Sequence, residues 1–182
     1  MEKDDAITYR RLDPEKDVIW YVLAYRWTQD RPRLFPHTGG FDLLVVYLDR
    51  AKKNSQVDVA VFEGEKMITL ITIQKESNGG YLFHVTSPKG SDPVKITAAT
   101  YEIGWDLFDK MDAAFIYTMV PTFNGHVHKG SKMLAESCGL TLCGEPEVEI
   151  DGRWHYSWQP YSLTRADWTK YHGKTENTAI AV

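Results

Sequence analysis

Apolar and polar positions along the chain change period several times, and each change marks an element. Residues 6–12 read as a strand. Asp13-Pro14-Glu15 then reads as a helix start, with Asp as N-cap, proline at the first helical position and an acid in the first turn. That helix is expected to run to about Gln29. Arg31-Pro32-Arg33 and residues 36–40 carry loop signals, and Asp42 opens a second expected helix to Lys53. Residues 43–48 of that stretch would also suit a strand. Val57, Val59 and Val61 alternate with Asp58 and Ala60, the period of a half-buried strand. Glu63-Gly64-Glu65-Lys66 turns this strand into a second over residues 67–75. Asn78-Gly79-Gly80 turns again into a third over 81–87, completing an antiparallel meander.

The second half repeats these signals. Asp92-Pro93 is another N-cap with proline, followed by Ile96, Ala99, Ile103 and Leu107 at helical spacing, so a helix is expected to about Met111. Residues 113–120 form an unbroken apolar run, as in a central strand buried on both faces. After Pro121 comes a helix with Val127, Ser131, Leu134 and Cys138 on one side, stopped by Gly139. Asp151-Gly152 between residues 147–150 and 154–158 is a hairpin signal. Thr164 with Asp167 resembles a capping box that opens a last helix to about Tyr171. The expectation is a single domain over residues 1–172, with a loosely held tail over 173–182.

Charge narrows the functional classes. Among 182 residues, 21 Lys and Arg stand against 25 Asp and Glu, a net charge of −4, without the basic excess of a nucleic-acid binder. At 43% hydrophobic and 25% charged residues, the chain can build a packed core and is not a disordered one. No apolar run reaches the roughly 20 residues of a membrane helix, and the charged Met-Glu-Lys-Asp-Asp start lacks an apolar leader. A cytoplasmic protein, neither secreted nor membrane-bound, is expected. Cys138 and Cys143 are too few for a disulfide framework or a cysteine zinc site, and Cys138 is expected to pack as a small apolar residue. Six Trp and ten Tyr point to a heavy aromatic core or an adhesive surface.

The order β-α-α-β-β-β-α-β-α-β-β resembles the GNAT family of N-acetyltransferases over residues 6–163. The residues that carry the likeness are Val85-Thr86-Ser87 ahead of the helix at Pro93, the strand at 115–120, Asn124 before a helix closing on Cys138-Gly139-Leu140, and the Asp151-Gly152 hairpin. Within that fold the same pieces, with Asp109-Lys110-Met111, are similar to the GNAT-like internal virion proteins of short-tailed podoviruses. The resemblance implies an α/β fold with a mixed central sheet flanked by helices and a short terminal helix. It implies acetyl-CoA as cofactor, an amine as acceptor and a bacteriophage origin, in the host cytoplasm or the virion.

It also implies site residues. The cofactor's phosphates would meet Val85, Ser87, Lys89, Gly90 and Lys95, where a strand gives way to a helix N-terminus. The local chemistry departs from the family pattern there. Ser87-Pro88-Lys89-Gly90-Ser91-Asp92-Pro93 holds one glycine, two prolines without N–H donors, and an aspartate where phosphates should sit. His84, on the strand bordering the acetyl site, is a candidate base, and Tyr117 and Asn124 are further candidates for the chemistry. The family's usual tyrosine acid, four residues before the helix-ending glycine, is Ala135 here. His126 and His128 are candidates for a base or a metal pair, but no third ligand lies near them, and no metal site is expected. Trp154, Tyr156 and Trp158 share one strand face, suited to packing or an interface.

Two functional classes follow. One is an acetyltransferase acting on an amine. The other is a GNAT-fold protein with decayed catalytic apparatus, serving as a phage structural, assembly or host-interaction protein. An oligomer is compatible with either.

Overall fold

The computed structural model describes residues 6–29, 48–49, 52, 56–123, 125–151 and 154–176. In chain order these form β1 (Ile7–Arg11), α1 (Val18–Gln29), β2 (Gln56–Glu63), β3 (Lys66–Lys75), β4 (Gly80–Thr86), α2 (Pro93–Lys110), β5 (Phe115–Pro121), α3 (Gly125–Ser137), β6 (Thr141–Leu142), β7 (Glu147–Asp151), β8 (Trp154–Thr164) and α4 (Arg165–Glu176). The strands join in the order β1-β2-β3-β4-β5-β8-β6, with β7 on β8. The β4–β5 pair is parallel and the β1–β2, β2–β3 and β5–β8 pairs are antiparallel, so the sheet is mixed. The expected helix over residues 42–53 lies mostly outside the described residues, although Leu48, Asp49 and Lys52 are helical.

The chain forms two compact units. The first holds β1 to β3, the second half of β4 and the first half of α2. The second holds the remaining elements.

In the first unit, α1 lays Tyr21, Ala24 and Trp27 against Ala60, Phe62, Met67 and Leu70. Trp20 meets the Phe62 ring edge-on, with centroids 5.0 Å apart. Each such large side chain contributes about 1.5–3 kcal/mol by leaving water. The helix begins at Val18 rather than Asp13. The Asp13 carboxylate does accept the Glu15 N–H, but its carbonyl accepts from Lys16 and Asp17, closing a separate turn. Asp17 then reaches back with its carboxylate to the Asp13 N–H at 2.9 Å and to Arg10 at 2.7 Å, which fixes this turn against β1.

β2 presents the opposite face from the one its valines suggest. Asp58 and Ala60 are buried, while Val57 and Val59 are only half-buried. A register shift between Val61 and Phe62 then puts both of those residues inside.

In the second unit, β8 is one long strand that serves three partners. It pairs with β7 through residues 154–158, with β5 through 158–164 and with β6 at Tyr161 and Ser162. The hairpin register sets Asp151 opposite Trp154, so Asp151 is still paired within β7. β5 is buried only at Ile116 and Val120, not on both faces along its length. Gly80 admits the Phe115 ring, since a Cβ there would lie 2.3 Å from the ring tip.

α3 ends as expected. Gly139 takes φ of 82°, Leu140 N–H reaches the Ala135 carbonyl at 3.0 Å, and Gly139 N–H reaches Glu136 at 3.0 Å. α4 opens on the Thr164–Asp167 box, with Thr164 Oγ1 2.7 Å from the Asp167 carboxylate. It continues to Glu176, past the expected end, so part of the expected loose tail is helical. Trp168 anchors it, stacked on Phe108 with centroids 5.0 Å apart.

Candidate functional site

Within the first unit, a continuous strand, loop and helix start carries the candidate cofactor residues. Thr69 Oγ1 of β3 donates to the Thr86 carbonyl at 3.0 Å and holds the end of β4. On β4, Phe83 is buried, His84 is exposed and Val85 is half-buried. Ser87 is half-buried, and Lys89 and Gly90 are exposed. Ser91 closes the loop by donating Oγ to the Pro88 carbonyl at 2.9 Å. Gly90 takes φ of 82°, and a Cβ placed on it would meet nothing within 4 Å, so the loop tip is open.

The helix start just beyond is closed on itself. The Asp92 carboxylate accepts the Val94 N–H at 2.9 Å, and its carbonyl accepts from Ile96 at 3.2 Å. Pro93 has no N–H. The N-terminal donors that would hold an anion are thus largely committed to Asp92, whose charge also opposes one. Lys95 is turned away as well, since its ammonium pairs with the Glu63 carboxylate on β2. Of the residues named for the phosphates, Ser87, Lys89 and Gly90 remain on an open loop, and they fit a phosphate better than the helix terminus does.

In the second unit, Tyr117 sits on β5 opposite Leu82 and Ser162. Burial, then the charge of Glu76 and a hydrogen bond to it, and more weakly the charge of Glu147, push its hydroxyl above the usual tyrosine range. It is therefore held protonated. Asn124 and the side chains of His126, Trp154 and Tyr156 lie outside the described residues. His128 Nδ1 lies 3.2 Å from the Pro121 carbonyl. Cys138 is buried and its thiol is pushed up to about 11 by burial, the state of a packing residue rather than a nucleophile. Ala135 is buried in the same helix. Among the described residues no group of three or more His, Cys, Asp or Glu could hold a metal, and no helix is long and apolar enough to cross a membrane.

One polar cluster carries no motif. Asp58, 2% exposed, accepts from Tyr21 Oη at 3.0 Å, Gln56 Nε2 at 2.8 Å and Thr72 Oγ1 at 2.6 Å. Its only trace in the sequence is polar residues inside otherwise apolar strands.

Comparison with known proteins decides the fold. No family model matches the chain, and no curated protein matches its sequence. Solved structures do match. A mutant of the spermidine N-acetyltransferase SpeG from Vibrio cholerae superposes with a TM-score of 0.67 at 16% identity, covering 89% of this chain and 95% of its own. This chain has the GNAT fold. The spermidine N-acetyltransferase from Vibrio cholerae in complex with CoA and spermine gives 0.66 at 16% identity, covering 90% of this chain and 98% of that one. The N-acetyltransferase PseH from Campylobacter jejuni gives 0.60 at 16%, covering 87% and 97%. At such identities the likeness speaks for the GNAT architecture alone.

Proposed function

We propose that this GNAT-fold protein is an acetyl-CoA-dependent N-acetyltransferase acting on an amine, with a weakened grip on the cofactor's phosphates. The observation that supports this reading is the open Ser87–Gly90 loop between β4 and α2, in a fold whose neighbours include a CoA complex. Acetyl-CoA supplies an acyl group activated as a thioester. Ser87, Lys89 and the Gly90 backbone would hold its phosphates, with Val85 beside them on the strand. Exposed His84 is the proposed base for the amine's proton, and Tyr117, held protonated, and Asn124 are the proposed donors. Assembly into an oligomer belongs to the proposal; one neighbour is described as dodecameric.

A second reading draws on Asp92. Its carboxylate occupies the Val94 N–H and sets a negative charge at the helix start, which favours a GNAT fold kept for its shape, binding phage or host proteins instead of a cofactor.

Isothermal titration of acetyl-CoA into the wild type and Asp92→Asn separates the two. Asparagine keeps the helix cap but removes the charge. On the enzymatic reading Asp92→Asn binds several-fold more tightly than wild type, and Lys89→Ala binds more weakly. Absence of saturable binding in both wild type and Asp92→Asn would sink that reading and leave the second.

A further inference from the structure

We propose that a cavity in the first unit, beside β2, binds a primary ammonium group at the Asp58 carboxylate. The cavity measures about 390 Å³ and is bordered by Arg11, Glu15, Tyr21, Gln56, Val57 and Asp58. This is the size of a small molecule or a single long side chain. The inference is independent of the acetyl-CoA reading.

Asp58 is 2% exposed, and its three hydrogen bonds all come from neutral groups. Oδ2 takes Tyr21 and Gln56, and Oδ1 takes only Thr72. A carboxylate has about four acceptor positions, so one on Oδ1 is left. No cation among the described residues forms an ion pair with it. Neutral donors satisfy its hydrogen bonding but do not balance its charge, and a buried charge is ordinarily paired.

The lining chooses among ligands. Asp13, Glu15 and Asp58 border the cavity against Arg11 and Lys52, so its acids outnumber its bases and the wall favours a cation over an anion. A hard divalent cation needs about six oxygen ligands, and among the described residues no cluster of acids, His or Cys is grouped to supply them. A primary ammonium needs few acceptors, carries the missing charge and brings three donors. Leu12 and Val57 give it apolar wall for an aliphatic stem.

The ammonium could come from a free amine or from a lysine side chain. The test titrates the full chain with n-butylammonium chloride and with Nα-acetyl-lysine methylamide, following backbone amide NMR shifts. Sodium butyrate and butanol serve as controls. Saturable shifts centred on Tyr21, Gln56, Val57 and Asp58, at least ten-fold weaker for both controls, are expected. Tighter binding of butylammonium assigns a free amine, and tighter binding of the lysine mimic assigns a peptide. Asp58→Asn should abolish the shifts; if that variant does not fold, Glu15→Gln should weaken binding several-fold. Shifts centred elsewhere, equal response to the neutral alcohol, or no saturable shift would overturn the proposal.

Discussion

The guanidinium of Arg165 donates to the backbone carbonyl of Phe108 at 2.6 Å, across 57 positions of sequence. Phe108 lies in the last turn of α2, where carbonyls have no helical partner. The same side chain donates from Nε to the Ala113 carbonyl at 3.0 Å and lies over the Phe108 ring, while its own N–H reaches the Ala114 carbonyl. The first residue of α4 thus caps the end of α2. Arg165→Ala should lower stability by about 1–3 kcal/mol, the range for charge-assisted hydrogen bonds, discounted because the side chain is 42% exposed. Arg165→Lys should recover part of that, since it keeps the charge but loses the fork. Urea denaturation measures both. Asp112 is 98% exposed, so Asp112→Asn should change stability by less than about 0.5 kcal/mol, despite its 3.0 Å ion pair with Arg165.

Asp92 has a structural role apart from any cofactor. Asp92→Ala removes the acceptor for Val94 N–H and should cost about 1 kcal/mol. Asp92→Asn should cost little. A pair of thermal melts decides this, and equal losses in both variants would show that charge rather than capping stabilises the helix.

Glu63 competes for Lys95. Glu63→Gln should leave stability within about 1 kcal/mol, since both partners are partly exposed. If Lys95 can serve phosphates, the same change should tighten acetyl-CoA binding roughly two- to five-fold, the scale of releasing a single weak ion pair. Calorimetry on Glu63→Gln with and without Lys95→Ala would show whether the gain depends on Lys95.

Burial raises the Asp58 carboxyl above its ordinary range. The folded state therefore holds this proton over a span where the unfolded chain has released it. Stability falls as pH rises from the unfolded value through the raised folded one, then levels off. Asp13, Glu15, Arg11 and Lys52 border the same cavity and place further charge beside it. Asp58→Asn should flatten the fall, seen as a stability difference between variant and wild type that changes with pH only over that span. A constant difference would mean that Asp58 has an ordinary carboxylate pKa.

Alkylation should separate the two thiols. Cys143 is exposed, while Cys138 is buried with its thiol pushed up to about 11. At mildly alkaline pH, iodoacetamide should modify one thiol per native chain, at Cys143, and both after denaturation, as read by peptide mass spectrometry.

Much of the element order was legible in the sequence because its signals are local, although β6 left none and the GNAT architecture came from a resemblance rather than from any one signal. Asp92 caps Val94 two residues on, Gly139 and Leu140 close α3 through bonds to Glu136 and Ala135, and Thr164 meets Asp167 three residues on. Each is settled by the conformation of a few neighbouring residues, so the sequence alone determines it. Only the tertiary structure decided that Asp58 is buried against Tyr21, 37 positions away, with Val57 and Val59 on the less buried face of β2. It likewise decided that Lys95 turns to Glu63 instead of toward an anion, and that Arg165 closes α2. In these cases a side chain's burial and charge partner depend on which distant strand or helix folds against it, and local periodicity carries no record of that choice.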